Sequence, residues 1–148
     1  MRCSMFLLLL ALFFSCKKVE DKFPVGHYQF DIQTNEVDNE NETWEAISPA
    51  RVVSSSENLL RIESYSINIL GDTIYGEISD FGIASNDIVS GVISSAVSEV
   101  TFSEGEISKR SKNDYTIEGN VSAKFWIDAG ESSYWRYYLG TFSFEDKN

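Results

Sequence analysis

The sequence predicts an all-β fold: a single antiparallel barrel of about eight strands, with a β-sandwich as the alternative. Three observations carry that expectation. Residues 115–127 alternate in polarity, with Tyr115, Ile117, Gly119, Val121, Ala123, Phe125 and Ile127 on one side. Thr116, Glu118, Asn120, Ser122 and Lys124 fall on the other side, and Trp126 is the exception. Apolar runs of strand length recur along the chain between turn-forming clusters of Gly, Ser, Asn and Asp. One segment alone carries helical spacing, and its composition favours strand.

The first element is an anchor rather than a strand. Arg2 gives a positive flank, residues 5–14 are an unbroken apolar run, and Ser15 is a small residue directly before Cys16. The run is far short of the about 20 residues that a spanning helix needs, and it suits the short hydrophobic region of a secretory signal. The stretch resembles a lipobox, the processing signal of bacterial lipoproteins. That resemblance implies a signal peptide over 1–15, discarded together with Cys3, and acylation of Cys16 as the first mature residue. Each buried methylene of an acyl chain contributes about 0.8 kcal/mol, so several chains on one cysteine hold the protein at a membrane without spanning it.

Lys17-Lys18-Val19-Glu20-Asp21 resembles the lysine-plus-acidic export tag that follows the acylated cysteine in surface lipoproteins of the Bacteroidota. The likeness implies a lipid-anchored outer-membrane protein facing the cell exterior. A solvated linker is the plainer reading of the same residues. Residues 16–24 are thus the lipidated cysteine and tether, ending at Phe23-Pro24, and 25–148 form the all-β domain.

Within that domain Tyr28, Phe30 and Ile32 alternate with Gln29 and Asp31, marking a half-buried strand. Residues 34–41 read as a polar, acidic loop. Residues 44–53 and 59–65 are further strands, separated by the turn-like 54–58. Residues 66–70 and 73–78 flank Gly71-Asp72, a short hairpin signal. In 86–101, Ile88, Val89, Val92, Ile93, Ala96, Val97 and Val100 recur at helical spacing behind Asn86 and Asp87, which suit a helix cap. The abundance of Val, Ile and Ser, together with Gly91, assigns the segment to strands instead. Gly119 is a place for a bend in the long strand. Residues 128–133 turn that strand into the last one, 134–144, where Tyr138, Gly140, Phe142 and Phe144 share a face. The two strands are expected to pair as a hairpin.

Gly26-His27-Tyr28 resembles the Gly-x-aromatic opening of lipocalin-like chains. Residues 115–122 (Tyr115-Thr116-Ile117-Glu118-Gly119-Asn120-Val121-Ser122) and 138–142 (Tyr138-Leu139-Gly140-Thr141-Phe142) resemble the closing hairpin of small calycin-like lipoproteins of the Bacteroidota. The resemblance covers the outer thirds of the domain and implies a closed antiparallel barrel.

Composition narrows the function. Cleavage before Cys16 leaves 133 of the 148 residues, enough for one domain with a true core. Twelve basic residues face twenty-three acidic ones, and loss of Arg2 makes the mature side chains one unit more negative than the formal −11. That balance argues against nucleic acid, which rewards clustered Lys and Arg, and against the domain body lying on an anionic membrane. Lys17, Lys18 and Lys22 cluster only beside the anchor, within reach of headgroups. The two cysteines are Cys3 and Cys16, so the mature chain offers no free thiol for a disulfide, a zinc site or a nucleophile. No cofactor and no metal are expected.

Four aromatic residues are the leading candidate ligand-binding site. Trp126 breaks the polar face of its strand, and Tyr134, Trp135 and Tyr137 follow the 128–133 turn. Exposed rings there form a platform for stacking on a sugar or a protein partner; the alternative is cross-strand pairing or burial under a loop. A second candidate is the barrel interior, lined by Tyr28, Phe30, Ile117, Val121, Phe125 and Phe142, which either holds a small apolar ligand or is filled by its own side chains. His27 is the single histidine, and the chain has no Gly-x-Ser-x-Gly elbow, so no catalytic residue is assigned. Asp38-Asn39-Glu40-Asn41-Glu42 alternates oxygen donors, as calcium loops do, but lacks their sharp-turn glycine and reads as a solvated loop. Asp72-Thr73-Ile74 resembles the O-glycosylation tripeptide of exported Bacteroidota proteins, which implies that Thr73 points outward. The reading that follows is a non-enzymatic binding module anchored to a membrane through Cys16, with an unknown protein, glycan or small apolar ligand as partner. Its rivals are a calycin-like carrier of an apolar ligand and a hydrolase using paired carboxylates.

Overall fold

The computed structural model describes residues 23–39, 41–64, 66–69, 72–75, 78–109 and 115–146, with side chains for all of these except 64–75. Cys16 and the residues of the anchor and export tag lie outside the described residues, as does Glu40 of the acidic loop. Among the described residues ten strands follow one another: β1 Gly26–Glu36, β2 Thr43–Ser55, β3 Leu59–Ser64, β4 Ser66–Ile69, β5 Asp72–Tyr75, β6 Ile78–Ile83, β7 Ile88–Ser94, β8 Ser98–Lys109, β9 Tyr115–Asp128 and β10 Ser133–Asp146. Eight of them close into an antiparallel barrel in the order β1-β10-β9-β8-β7-β6-β3-β2. Closure rests on β1, which pairs with β2 on one side and with β10 on the other. The fold is therefore the calycin-like barrel and not the sandwich. The segment with helical spacing forms β7 and β8, and Asp87, a candidate cap, instead takes a positive φ of 64° in the turn before β7.

β4 and β5 stand outside the barrel as a separate hairpin, pairing from Ser66↔Tyr75 to Ile69↔Asp72. The expected hairpin thus exists as an excursion between β3 and β6, which pair directly with each other, with Asp72 already in β5 and Gly71 outside the described residues. Pro49 marks where it departs: the β2–β3 ladder begins at Ala50, and the neighbouring proline has no N–H to extend it. Thr73 lies on β5, and its side chain is among those not described.

Alternation fills the interior. Tyr28, Phe30, Ile117, Val121, Phe125 and Phe142, expected to line it, are all buried. Phe30 stacks on Phe102 at 5.0 Å and meets Phe144 at 4.5 Å, while Phe102 takes Phe142 edge-on at 5.0 Å. Phe81 lies 5.4 Å from Phe102, over Gly91, where an added Cβ would fall 1.9 Å from its ring. Both barrel ends are closed by aromatics. Trp44 caps one end, edge-on to Phe125 at 5.2 Å and near Tyr138. Phe23 caps the other, packed on Tyr28, Tyr115 and Phe144, with its backbone tied to the Ser55 hydroxyl. Phe23, assigned from the sequence to the tether, is fully buried in the core, so the folded unit starts at least two residues before Val25.

The long strands bend at a bulge. Ser103 pairs with Asn120 and Glu106 with Glu118, so Glu104 and Gly105 together oppose Gly119. Glu104 takes a positive φ of 53°, and a Cβ on Gly119 would meet the Gly105 Cα at 2.7 Å. The glycine is required by this close approach.

Candidate functional site

The candidate surface is built by β8, β9 and β10, and β9 and β10 are the longest of the described strands. Inward residues of β9 and β10 are Val121, Ala123, Phe125 and Tyr138, Phe142, Phe144, so their neighbours in sequence point outward. The register sets Trp126 directly opposite Trp135. Their rings meet edge-on at 5.3 Å, and both stay about two-fifths exposed (40% and 38%). This is the cross-strand pair named as the alternative, yet pairing leaves ring surface open to solvent. Tyr137 continues the same face, exposed on β10 with Leu139 beyond it. Tyr134 belongs elsewhere: it has inward parity at the rim, where its hydroxyl accepts a hydrogen bond from Arg136 at 3.2 Å. The four expected platform residues therefore divide into three on the outer face and one at the barrel mouth.

Sequence reasoning missed several members of this surface. Val37, exposed after β1, is held beside β10 by its N–H donating to the Tyr137 carbonyl at 2.9 Å. Val37, Tyr137 and Leu139 line a groove of about 360 Å³ with Thr101, Ser122 and the ion pair Lys124–Glu99. That pair is 2.9 Å long, and the Lys124 ammonium also lies 5.5 Å from the Trp135 ring centre. Alternation alone places Leu139 on the outer face; Val37 carries no signal, because a loop residue has no periodicity to read.

The β9–β10 turn beside the tryptophans is fixed by Asp128. Its carboxylate accepts from the Gly130 N–H and from the Ser133 hydroxyl, each at 3.2 Å, and Gly130 supplies a positive φ of 79°. The acidic β1–β2 loop is pinned to the same end. Arg136 reaches Glu36 at 3.2 Å and Glu42 at 3.9 Å. Its guanidinium is held above its ordinary pKa by the Tyr138 hydroxyl first, then by Tyr134, with the Glu36 charge adding to them. Glu42, from the acidic run read as a solvated loop, is thus engaged by an arginine. Among the described residues no three of His, Cys, Asp and Glu gather in a way that would hold a metal ion. His27 lies exposed opposite Arg51 on β2.

A second, larger groove of about 640 Å³ lies on the same strands toward the Phe23 end. Its lining includes four carboxylates, Asp31, Glu104, Glu106 and Glu118, with Gln33, Asn120, Thr141 and Ser143 between them. The Asn120 amide donates to Glu104 across the bulge. No motif marked this groove in sequence, since its acids come from three strands and meet only by register.

No protein-family model matches the chain, and no curated protein matches it significantly. What defines it is its own architecture: an antiparallel barrel with a filled interior and an aromatic, grooved outer face on its longest strands.

Proposed function

We propose that this protein is a lipid-anchored, non-enzymatic interaction module of the outer membrane that faces the cell exterior. Its partner takes the outer aromatic face of β9 and β10. The observation that carries the reading is the exposed Trp126–Trp135 pair, continued by Tyr137 and Leu139 on one side of the β9–β10 hairpin. Large aromatics with open faces on regular strands provide binding area at little entropic cost. The interior supports the same choice: its aromatic stack and its two ring caps occupy the space that a carried apolar ligand would need.

Position relative to the anchor supports it as well. Phe23, seven residues after Cys16, sits where β1 begins and β10 ends. Trp135 lies eleven residues from Asp146 along β10, about 28 Å along the barrel axis at a usual strand tilt. An anchor on Cys16 would join the barrel at the Phe23 end, the end opposite the tryptophans, which favours this reading.

Two experiments test the reading. Trp126→Ala with Trp135→Ala is expected to abolish binding of a partner captured from the protein's surroundings while the fold survives, at a cost of about 0.5–1.5 kcal/mol for the lost ring pair. Unchanged binding would remove the platform, and collapse of the fold would return the rings to a purely structural role. Cys16→Ala is expected to abolish fatty-acid labelling and release the protein from membranes. Labelling that survives would overturn the lipobox assignment. Turnover of a polysaccharide or ester that fails on single carboxylate substitutions would replace this reading with the hydrolase.

A further inference from the structure

The apolar groove and the acidic groove are two halves of one surface. Along the outer side of β9 the order is Glu118, Asn120, Ser122, Lys124, Trp126; along β10 it is Ser143, Thr141, Leu139, Tyr137, Trp135. The grooves meet where Asn120↔Thr141 gives way to Ser122↔Leu139, one repeat of the strand apart. From Glu118 to Trp126 the surface runs eight residues, about 27 Å. Tyr137, Leu139 and the tryptophan pair lie in its upper half beside the Lys124–Glu99 ion pair, and Asp31, Glu104 and Glu106 in its lower half.

From this we propose, resting on the interaction reading above, that the partner is a polypeptide segment with an apolar end and a cationic end. The apolar end lies against Tyr137, Leu139 and the tryptophan pair. Its Lys or Arg side chains reach down to Asp31, Glu104 and Glu106. Charge complementarity names this occupant. The apolar groove's own cation, Lys124, is neutralised by Glu99 at 2.9 Å, and none of the described residues lining the acidic groove is basic. The chain as a whole carries −11, a field that draws cations toward it from a distance. The aromatic half excludes partners that are only charged, and the acidic half excludes those that are only apolar. Requiring both is how such a surface becomes selective.

The test uses the full chain in detergent and three fluorescent ten-residue peptides. One has four lysines followed by an apolar Leu/Trp end, one has glutamates in place of the lysines, and one has the lysines with serines in place of the apolar end. Anisotropy is expected to show binding of the first alone, weakened about tenfold between about 0.02 and 0.2 M salt. Tyr137→Ser with Leu139→Ser, and separately Asp31→Asn with Glu106→Gln, should each weaken it at least about fivefold, since both halves contribute to one bound segment. All four positions face outward, and an unchanged near-UV spectrum confirms the fold. Equal binding of the lysine–serine peptide would reduce the effect to general charge attraction and overturn the proposal. So would binding of the glutamate peptide, or no binding of the first. A neutral oligosaccharide that binds instead, and is lost in the Tyr137/Leu139 variant but not in the Asp31/Glu106 variant, would overturn this inference and leave the platform standing. If no probe responds to the aromatic substitutions, both fall.

Discussion

Phe23→Ala probes the junction between anchor and barrel. The ring is fully buried, with centroids 5.1, 5.4 and 5.9 Å from Tyr28, Tyr115 and Phe144. Truncating a buried phenylalanine costs about 3–5 kcal/mol, the spread reflecting how far the surroundings close over the space. Here the cavity opens at the end of the barrel, where Tyr28 and Tyr115 can settle inward, which sets the expected loss near about 3 kcal/mol. The backbone bonds to Ser55 survive the change, so the loss is one of packing. For a domain of this size about 4 °C of melting temperature accompanies each kcal/mol, which predicts a fall of about 12 °C. Urea melts should show a lower midpoint with an unchanged slope, because the same surface is exposed on unfolding. A loss below about 1 kcal/mol, in the range of surface substitutions, would refute the packing of this ring and restore a free tether through Pro24.

Two further perturbations test the register and a buried hydroxyl. An added Cβ at Gly140 would fall 1.9 Å from the Gln33 carbonyl oxygen and 2.6 Å from the Thr34 Cα, contacts with backbone that cannot yield. Gly140→Ala should therefore open the β1–β10 seam at a cost of at least about 3 kcal/mol, the upper end for overpacking. Gly82→Ala meets nothing within 4 Å and should stay within about 0.5 kcal/mol. Equal melting temperatures for the two variants would refute the seam. Tyr28 is raised well above its ordinary pKa by burial, then by Asp146 and Tyr115, and its hydroxyl donates to the Pro24 carbonyl at 2.9 Å. The unfolded phenol ionises near about 10, whereas the folded one keeps its proton. The stability this confers is complete below about pH 10 and is lost as pH rises toward the folded value. Urea melts should weaken above about pH 10, and Tyr28→Phe should cost about 1 kcal/mol at neutral pH while flattening that alkaline decline. The same alkaline slope in both proteins would refute the assignment.

Much of this architecture is legible in the chain. The period-two alternation of 115–127 selects the residues that fill the core, because a pleated strand sends neighbours to opposite sides. The same rule places Trp126 and Leu139 outside. Composition resolves the segment with helical spacing in favour of β7 and β8, as Val, Ile and Ser pack well on a pleated surface. Local signals falter where a residue's fate depends on distant partners. Phe23 precedes any alternating run, so nothing nearby announces that Tyr115 and Phe144 wait for its ring. Tyr134 looks equivalent to Trp135, but one residue of strand parity sends it to Arg136 instead.

By itself the sequence determined the strand class, the inward and outward faces and the closing hairpin, all properties of neighbours along one or two strands, whereas the register paired Trp126 with Trp135. Tertiary structure alone decided closure, since only long-range pairing lets β1 join both β2 and β10. It also put β4 and β5 outside the barrel and filled the interior with aromatics from six different strands. The acidic groove belongs to the same category. Asp31, Glu104, Glu106 and Glu118 come from β1, β8 and β9, and only the bulge and the register bring their charges onto one surface beside the aromatic face.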